Sequence, residues 1–259
     1  MLSVETYQTI TEAAGALGDR SRYIAGGTLV MRAVTYGDQS FDRIVRVRQT
    51  DRNIGNDAAG LRIGAGATMS DILASGDAEV LHPVARLVGG PALRNMATIG
   101  GNLFAPNPYG DITVALLALD AQVVMANGQS LPVESFLSGR DQLRGLVAAV
   151  TVPRIEPGSF LFSKVSRVKP KGVSVMSIAV SSRRGDPRVV FGNMGPLPTR
   201  ARAAERALAQ GSDANAIAAA CAVCTEGLAP VDDALASSWY RREVAPVHLR
   251  RLLQNGGRV

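Results

Sequence analysis

The sequence predicts an α+β protein, and three observations favour this class. Before the segment between Pro153 and Pro157, short β-like and helical segments alternate along the chain. After it, strand-like segments come first and helical segments follow, which is typical of α+β domains. The apolar fraction of 46%, with 19% charged residues, is sufficient to fill a core and excludes global disorder.

Local patterns predict the elements that precede Pro153. Residues 42–47 alternate polar and apolar side chains with the period of a half-buried strand. Thr68 and Asp71 have the spacing of a capping box, which predicts a helix start. Asn127 and Gly128 form a hairpin-turn dipeptide. We expect further strands at 23–24, 61–67, 122–126 and 146–152, and helices at 11–18, 29–33, 82–88 and 111–119.

The residues that follow Pro157 predict a separate set of elements. Three apolar, β-branched segments are expected to form strands, and the longer segments after them are expected to form two or three helices. The prolines at 153 and 157 mark a break in composition and a candidate domain boundary. The expected strands are 160–168, 173–181 and 188–193, and the expected helices are 199–210, 214–226 and 236–253.

The charge balance and the chain start exclude several classes of function. The net charge is +6, but the basic residues are scattered and aromatic residues make up only 5%, which disfavours a nucleic-acid interface. The first residues lack the basic and apolar regions of a secretory signal. No apolar run approaches the roughly 20 residues of a membrane span. We therefore expect a cytoplasmic protein without a membrane span.

The two cysteines, Cys221 and Cys224, form a C-x-x-C motif inside an alanine-rich segment that predicts a helix. A 2Fe–2S cluster normally needs four cysteines, and a structural zinc site needs four Cys or His ligands. The chain adds only His82 and His248. It is therefore expected to hold no cluster and no metal, and its cysteines are interpreted as core residues of a helix.

Two glycine pairs stand out as candidate ligand loops. They lie in the segments 25–29 (A-G-G-T-L) and 98–102 (T-I-G-G-N), next to β-like stretches. Paired glycines allow positive φ and close approach of a ligand, and exposed amides there bind anionic oxygens. Both pairs are also compatible with ordinary tight turns, and sequence patterns alone cannot join two distant loops. Neither a P-loop nor a complete Rossmann fingerprint is present.

Side chains for acid–base or nucleophilic catalysis are scarce. Neither histidine has neighbours that suggest a triad or a metal site. No pair of acidic residues has a spacing that suggests acid–base catalysis. A chain that is poor in such groups but rich in glycine loops suggests that a bound cofactor carries the chemistry. We assign no catalytic residue.

Four segments in order carry a resemblance to a known family. They are 25–29, 94–103 (R-N-M-A-T-I-G-G-N-L), 108–111 (P-Y-G-D) and 115–120 (A-L-L-A-L-D). In order and spacing they resemble the FAD-binding medium subunit of molybdenum hydroxylases, of the carbon monoxide dehydrogenase and xanthine dehydrogenase type. Further matches at 145–153, 162–164 and 195–205 extend the resemblance over nearly the whole chain.

This resemblance implies two domains. Residues 1–156 would form an FAD-binding domain of the vanillyl-alcohol-oxidase (PCMH) type, with α+β lobes at about 1–55 and 56–156. Residues 157–259 would form an α+β domain with a three-stranded sheet packed on helices. The break between Pro153 and Pro157, found without the resemblance, lies at the implied boundary.

The resemblance also implies which residues bind FAD. The first loop would bind the pyrophosphate mainly through backbone amides, and the second loop would be the other pyrophosphate loop. Asp111 would accept hydrogen bonds from the sugar portion, or act only as a helix cap. Leu146 and Lys164 would contact the cofactor toward the flavin. The predicted set is Ala25, Gly26, Gly27, Thr28, Leu29, Thr98, Gly100, Gly101, Asn102, Asp111, Leu146 and Lys164.

The implied function is electron transfer within a larger enzyme. Electrons from a molybdopterin centre would pass through two 2Fe–2S clusters to FAD and then to a terminal acceptor. Because two cysteines cannot hold those clusters, we expect an iron–sulfur subunit and a large molybdopterin subunit as partners, in a heterotrimer or a dimer of heterotrimers. The alternatives are a self-contained flavin oxidase or reductase of the same fold and, from another class, a basic nucleotide-binding or nucleic-acid-binding protein.

Overall fold

A computed structural model describes residues 2–140, 142, 145–168, 172–182 and 185–256. The chain divides into two compact units. The first consists of Met1–Ala105 and Ala121–Pro153, and the second of Pro106–Asp120 and Arg154–Val259. Because residues 106–120 belong with the later part of the chain, sequence order alone does not define the units. The boundary between 1–156 and 157–259 therefore stays a prediction.

A three-stranded parallel sheet forms the amino-terminal part of the first unit. Its middle strand pairs with both others, in the order β1-β3-β2. Ala13, Val45, Val47 and Leu146 form a buried cluster beside this sheet. Two short helices complete this part. The elements are β1 (Ser3–Tyr7), α1 (Ile10–Gly15), β2 (Ser21–Tyr23), α2 (Val30–Thr35) and β3 (Arg43–Val47).

An antiparallel five-stranded sheet forms the rest of the first unit, in the order β4-β5-β8-β6-β7. Its strands are β4 (Ile54–Asn56), β5 (Leu61–Gly64), β6 (Gln122–Met125), β7 (Ser130–Pro132) and β8 (Val147–Val152).

Short helices accompany this sheet. The predicted capping box is confirmed, because Thr68 Oγ1 accepts from the Asp71 amide and the Asp71 carboxylate accepts from the Thr68 amide. The helices of this part are α3 (Met69–Ala74), a 3₁₀ helix (Gly76–Leu81), α4 (His82–Ala85), α5 (Pro91–Arg94), α6 (Ile99–Asn102) and α8 (Val133–Gly139).

The second unit is built on an antiparallel sheet in the order β12-β11-β10-β9. Beside the three expected strands, Thr199 and Arg200 add a two-residue edge strand, because they pair with Phe191 and Val190. The helix expected from residue 199 therefore begins at Arg202. The strands are β9 (Phe160–Ser166), β10 (Ser174–Ser181), β11 (Arg188–Gly192) and β12 (Thr199–Arg200).

Four helices cover this second sheet. All eight residues of α7 (Asp111–Ala118) are buried, and α7 packs against β10 and β11. The other helices enclose a core in which the sheet side chains meet Ala220, Cys221 and Leu249. The helices are α7 (Asp111–Ala118), α9 (Arg202–Leu208), α10 (Ala214–Val223) and α11 (Ser238–Gln254). Within the described residues, no helix combines the length and apolarity needed to cross a bilayer.

Candidate FAD site

The first glycine loop, Ala25 to Leu29, connects β2 to α2. Regular strand pairing ends just before it, where the Ile24 amide donates to the Val45 carbonyl at 2.9 Å. Gly27 has a φ of +75°, a conformation that side chains disfavour and glycine permits. This turn redirects the chain from the sheet into the helix.

The amides of this loop are its distinctive feature. From Ala25 to Leu29, five consecutive N–H groups donate to no acceptor among the described residues. The loop is half-buried, so these donors are partly shielded from water. Buried backbone donors are almost always satisfied, and consecutive free N–H groups at a turn form a concave site for an anion. The loop therefore has the donor set that a phosphate group requires.

The second glycine loop, predicted at 98–102, forms the short helix α6 with its cap, and its amides have different partners. Thr98 is the cap residue of α6, and its Oγ1 accepts from the Gly101 amide at 3.1 Å. The amides of Ile99 and Gly100 donate to the carbonyls of Ala67 and Ala65, at 2.9 Å and 3.0 Å. The Asn102 amide donates to the Thr98 carbonyl at 3.0 Å. All four amides from residue 99 to residue 102 are thus engaged within the protein.

The fold brings the two loops together, which the sequence could not show. A Cβ atom built on Gly26 would collide with the carbonyl group of Met96 and lie 3.4 Å from the Ala97 nitrogen. Ala97 directly precedes Thr98, so the first loop lies against the entry to the second. Gly26 is needed here for backbone packing, whereas Gly27 is needed for its positive φ.

Leu146 lies in the first unit, and its side chain packs in the core of that unit. It is 4% exposed and belongs to the cluster that contains Val45 and Val47. Its carbonyl accepts from the Ala126 amide at 2.7 Å. A cofactor contact by Leu146 stays a prediction.

Asp111 and Lys164 lie in the second unit and contact each other. Lys164 Nζ and Asp111 Oδ2 are 2.9 Å apart, with only 6% and 7% of the side chains exposed. Asp111 is the first residue of α7, and Lys164 lies on β9. Sequence reasoning named both residues but did not foresee the ion pair, because no local signal joins positions so distant in the chain. Their contacts with FAD stay predictions.

Phe104 is the aromatic residue that follows the second loop. Its side chain is 45% exposed, and its ring stands nearly perpendicular to that of Phe136, with centroids 5.4 Å apart. Phe136 is fully buried and so anchors Phe104 from one side.

The cysteine interpretation is confirmed. Cys221 and Cys224 lie at the end of α10 and are buried in the core of the second unit. Burial, together with the neighbouring Cys221, raises the pKa of the Cys224 thiol to about 12, so it stays protonated and unreactive near neutral pH. The described part of the chain contains no cluster of three or more His, Cys, Asp or Glu side chains fit for a metal ion.

Family comparison identifies the domain in which the first glycine loop lies. Residues 1–155 match the FAD binding domain in molybdopterin dehydrogenase, and residues 171–255 match the CO dehydrogenase flavoprotein C-terminal domain. The chain belongs to the molybdopterin dehydrogenase flavoprotein family. Its first part is therefore an FAD-binding domain, and the five free amides of the first loop suit the negatively charged diphosphate of that cofactor.

Individual relatives agree with this family. The glyceraldehyde dehydrogenase medium chain of Sulfolobus acidocaldarius is 26% identical over 248 residues, covering 88% of this chain and 88% of its own. The 6-hydroxypseudooxynicotine dehydrogenase complex subunit alpha of Paenarthrobacter nicotinovorans is 27% identical over 259 residues, covering 91% and 86%.

A solved structure shows the same fold. Carbon monoxide dehydrogenase from Hydrogenophaga pseudoflava, in a form that lacks the Mo-pyranopterin moiety, contains a chain that superposes with a TM-score of 0.87. The match covers 99% of this chain and 96% of that one at 22% sequence identity. The predicted fold class is therefore confirmed, including an FAD-binding domain followed by a carboxy-terminal domain.

Proposed function

We propose that this chain is the FAD-carrying electron-transfer subunit of a multi-subunit molybdenum hydroxylase or dehydrogenase. It would take electrons from 2Fe–2S clusters of a partner subunit and pass them to a terminal acceptor. The observation that carries the proposal is the row of five free amides in the first loop of an FAD-binding domain. The names of two relatives, a medium chain and a complex subunit, support a place in a larger assembly.

The residues that would hold the diphosphate are Ala25, Gly26, Gly27, Thr28 and Leu29. Their N–H groups would donate to the phosphate oxygens, where charge-assisted hydrogen bonds are stronger than neutral ones. Thr98, Gly100, Gly101 and Asn102 would contact the diphosphate as the second pyrophosphate loop. Because the amides from residue 99 to residue 102 already bond within the protein, this loop would shape the site rather than supply backbone donors. When bound, FAD supplies the redox centre that the side chains of this chain lack.

Partners are part of this proposal. Two buried cysteines cannot ligate the clusters that deliver the electrons, so an iron–sulfur subunit has to supply them. A large molybdopterin subunit would oxidise the substrate. We expect the three chains to assemble as a heterotrimer or as a dimer of heterotrimers.

Acid release of the cofactor tests the binding half of this proposal. The purified chain is precipitated with acid, and the supernatant is separated by chromatography against FAD and FMN standards. We expect one FAD per chain, released without covalent attachment. Release of FMN, or flavin that stays in the pellet, would contradict the proposed diphosphate site.

Reconstitution tests the electron-transfer half. The isolated chain should bind FAD and be reduced by dithionite, yet should not oxidise the substrate of the assembled enzyme. Adding the iron–sulfur and molybdopterin subunits should restore that oxidation. Turnover of an organic substrate by the isolated chain at ~10 per second would instead favour the self-contained flavin enzyme.

A further inference from the structure

A buried polar cluster in the second unit surrounds the predicted cofactor residue Asp111. Its carboxylate contacts two groups from neighbouring strands. Lys164 Nζ of β9 lies 2.9 Å from Oδ2, and Ser174 Oγ of β10 donates to Oδ1 at 2.6 Å. The lysine and the serine therefore occupy different oxygens of one carboxylate.

Ser174 is itself held from a second direction. It is the first residue of β10 and fully buried, and the pairing of β9 with β10 is irregular just after it. The Asn193 side chain donates from Nδ2 to the Ser174 carbonyl at 2.8 Å. Asn193 has a φ of +61°, which is uncommon for a residue other than glycine. The serine thus has little freedom to move away from Asp111.

A carboxylate in this position needs more than its lysine partner. A buried ion pair is favourable only where the geometry is good and further hydrogen bonds satisfy the remaining oxygen lone pairs. The Ser174 hydroxyl supplies such a bond, and it leaves Oδ2 to the ammonium group of Lys164. Without it, the terminal torsion of the carboxylate would lose one of its two described restraints and keep only the contact with Lys164.

We propose that Ser174 is a positioning residue for the cofactor: it fixes the Asp111 carboxylate, and through it the Lys164 ammonium, in the orientation that FAD binding requires. This inference rests on the proposed function and on the predicted contacts of Asp111 and Lys164 with FAD, which the family resemblance implies. Ser174 itself need not touch the cofactor. Its contribution should vanish when Asp111 no longer carries a carboxylate.

The test is the dissociation constant of the apoprotein for FAD, measured by the change in flavin fluorescence. Ser174→Ala removes the hydroxyl and should weaken FAD binding by about 10-fold, as expected for a lost hydrogen bond to a charged group. Ser181→Ala is the matched control, because Ser181 lies on the same strand, is buried and has no partner for its hydroxyl among the described residues. It should change the affinity by less than about twofold.

A double-mutant cycle separates positioning from a general structural effect. In an Asp111→Ala background, Ser174→Ala should cause no further loss of affinity, because the two residues act together. If the losses simply add, or if Ser174→Ala alone binds FAD as tightly as the unaltered protein, the inference is wrong. If the unaltered protein itself fails to bind FAD, the proposed function fails, and that outcome is distinct.

A second variant keeps the test open should Ser174→Ala fold poorly. Asn193→Gly removes the donor to the Ser174 carbonyl while glycine readily adopts the positive φ found there. We expect FAD binding to weaken by about threefold, with the thermal midpoint close to that of the unaltered protein. An unchanged dissociation constant in this variant would also contradict the inference.

Discussion

Both glycine loops, Ala25 to Leu29 and Thr98 to Asn102, contain a glycine pair. Their backbone amides nevertheless differ in their hydrogen-bond partners. In the first loop, five N–H groups have no acceptor among the described residues. In the second, the four amides from residue 99 to residue 102 all bond within the protein. The first loop therefore offers backbone donors to a ligand, whereas the second uses its backbone donors within the protein.

The glycines of the two loops explain part of this difference. Gly26 packs on the Met96 carbonyl, and Gly100 packs on Ala65, so one glycine in each loop serves close backbone packing. Gly27 differs because it alone among these four has a positive φ. A glycine pair in a sequence thus indicates a position where another group packs closely on the backbone. Only the structure shows whether that group belongs to a ligand or to the protein.

The largest loss of FAD affinity is expected from a substitution that displaces the first loop. In Gly26→Ala, the new methyl group would collide with the Met96 carbonyl, so the loop has to shift and its amides are displaced. We expect FAD affinity to fall by about 100-fold, measured as the flavin content of the purified protein. Gly15→Ala is the control, since no atom lies within 4 Å of the added Cβ. Full flavin content in Gly26→Ala would contradict this account of the loop.

The glycines of the second loop should differ from each other. A Cβ on Gly100 would lie 2.9 Å from both the Cβ and the carbonyl oxygen of Ala65, whereas one on Gly101 meets only Thr98 Oγ1 at 3.0 Å. Gly100→Ala should lower the free energy of unfolding of the apoprotein by about 1–3 kcal/mol, and Gly101→Ala by less. Urea denaturation measures both. A greater loss of flavin in Gly101→Ala than in Gly100→Ala would show that Gly101 faces the cofactor instead.

The smallest effect is expected at the cap of α6. Thr98→Ala removes the acceptor of the Gly101 amide and should lower the free energy of unfolding by about 1 kcal/mol. Thr98→Ser keeps the oxygen and should lie close to the unaltered protein. FAD affinity should change by less than about threefold in both variants. A large loss of affinity in Thr98→Ala at unchanged stability would make the hydroxyl a direct ligand of the phosphate.

Much of the secondary structure could be predicted because its signals are local. The capping box at Thr68 and the hairpin turn at Gly128, whose φ is +84°, depend on residues within one turn. The strands β4 and β7 were not predicted, because each has three residues and exists only through its neighbour in the sheet. Strand β1 was missed as well; its Val4 is 59% exposed, so no buried face shaped its pattern.

The sequence indicated the candidate residues but not their contacts within the protein, and their contacts with FAD stay predictions. The paired glycines indicated both loops, and the resemblance led to Asp111 and Lys164. It could not show that the Lys164 ammonium pairs with Asp111, or that α7 packs in the second unit, since both depend on contacts between distant segments. The bonding of the Ile99 and Gly100 amides is likewise a tertiary property, because their acceptors, Ala67 and Ala65, come from another loop.

Hydrogen exchange of the backbone amides tests the difference between the loops most directly. Exchange is followed by mass spectrometry in the apoprotein and after addition of FAD, for peptides that cover residues 25–29 and 99–102. We expect the first loop to exchange rapidly without FAD and to become protected with it, because its donors then bond to the diphosphate. The second loop should be protected in both states. Protection gained by residues 99–102 on adding FAD, with no change at 25–29, would contradict the account.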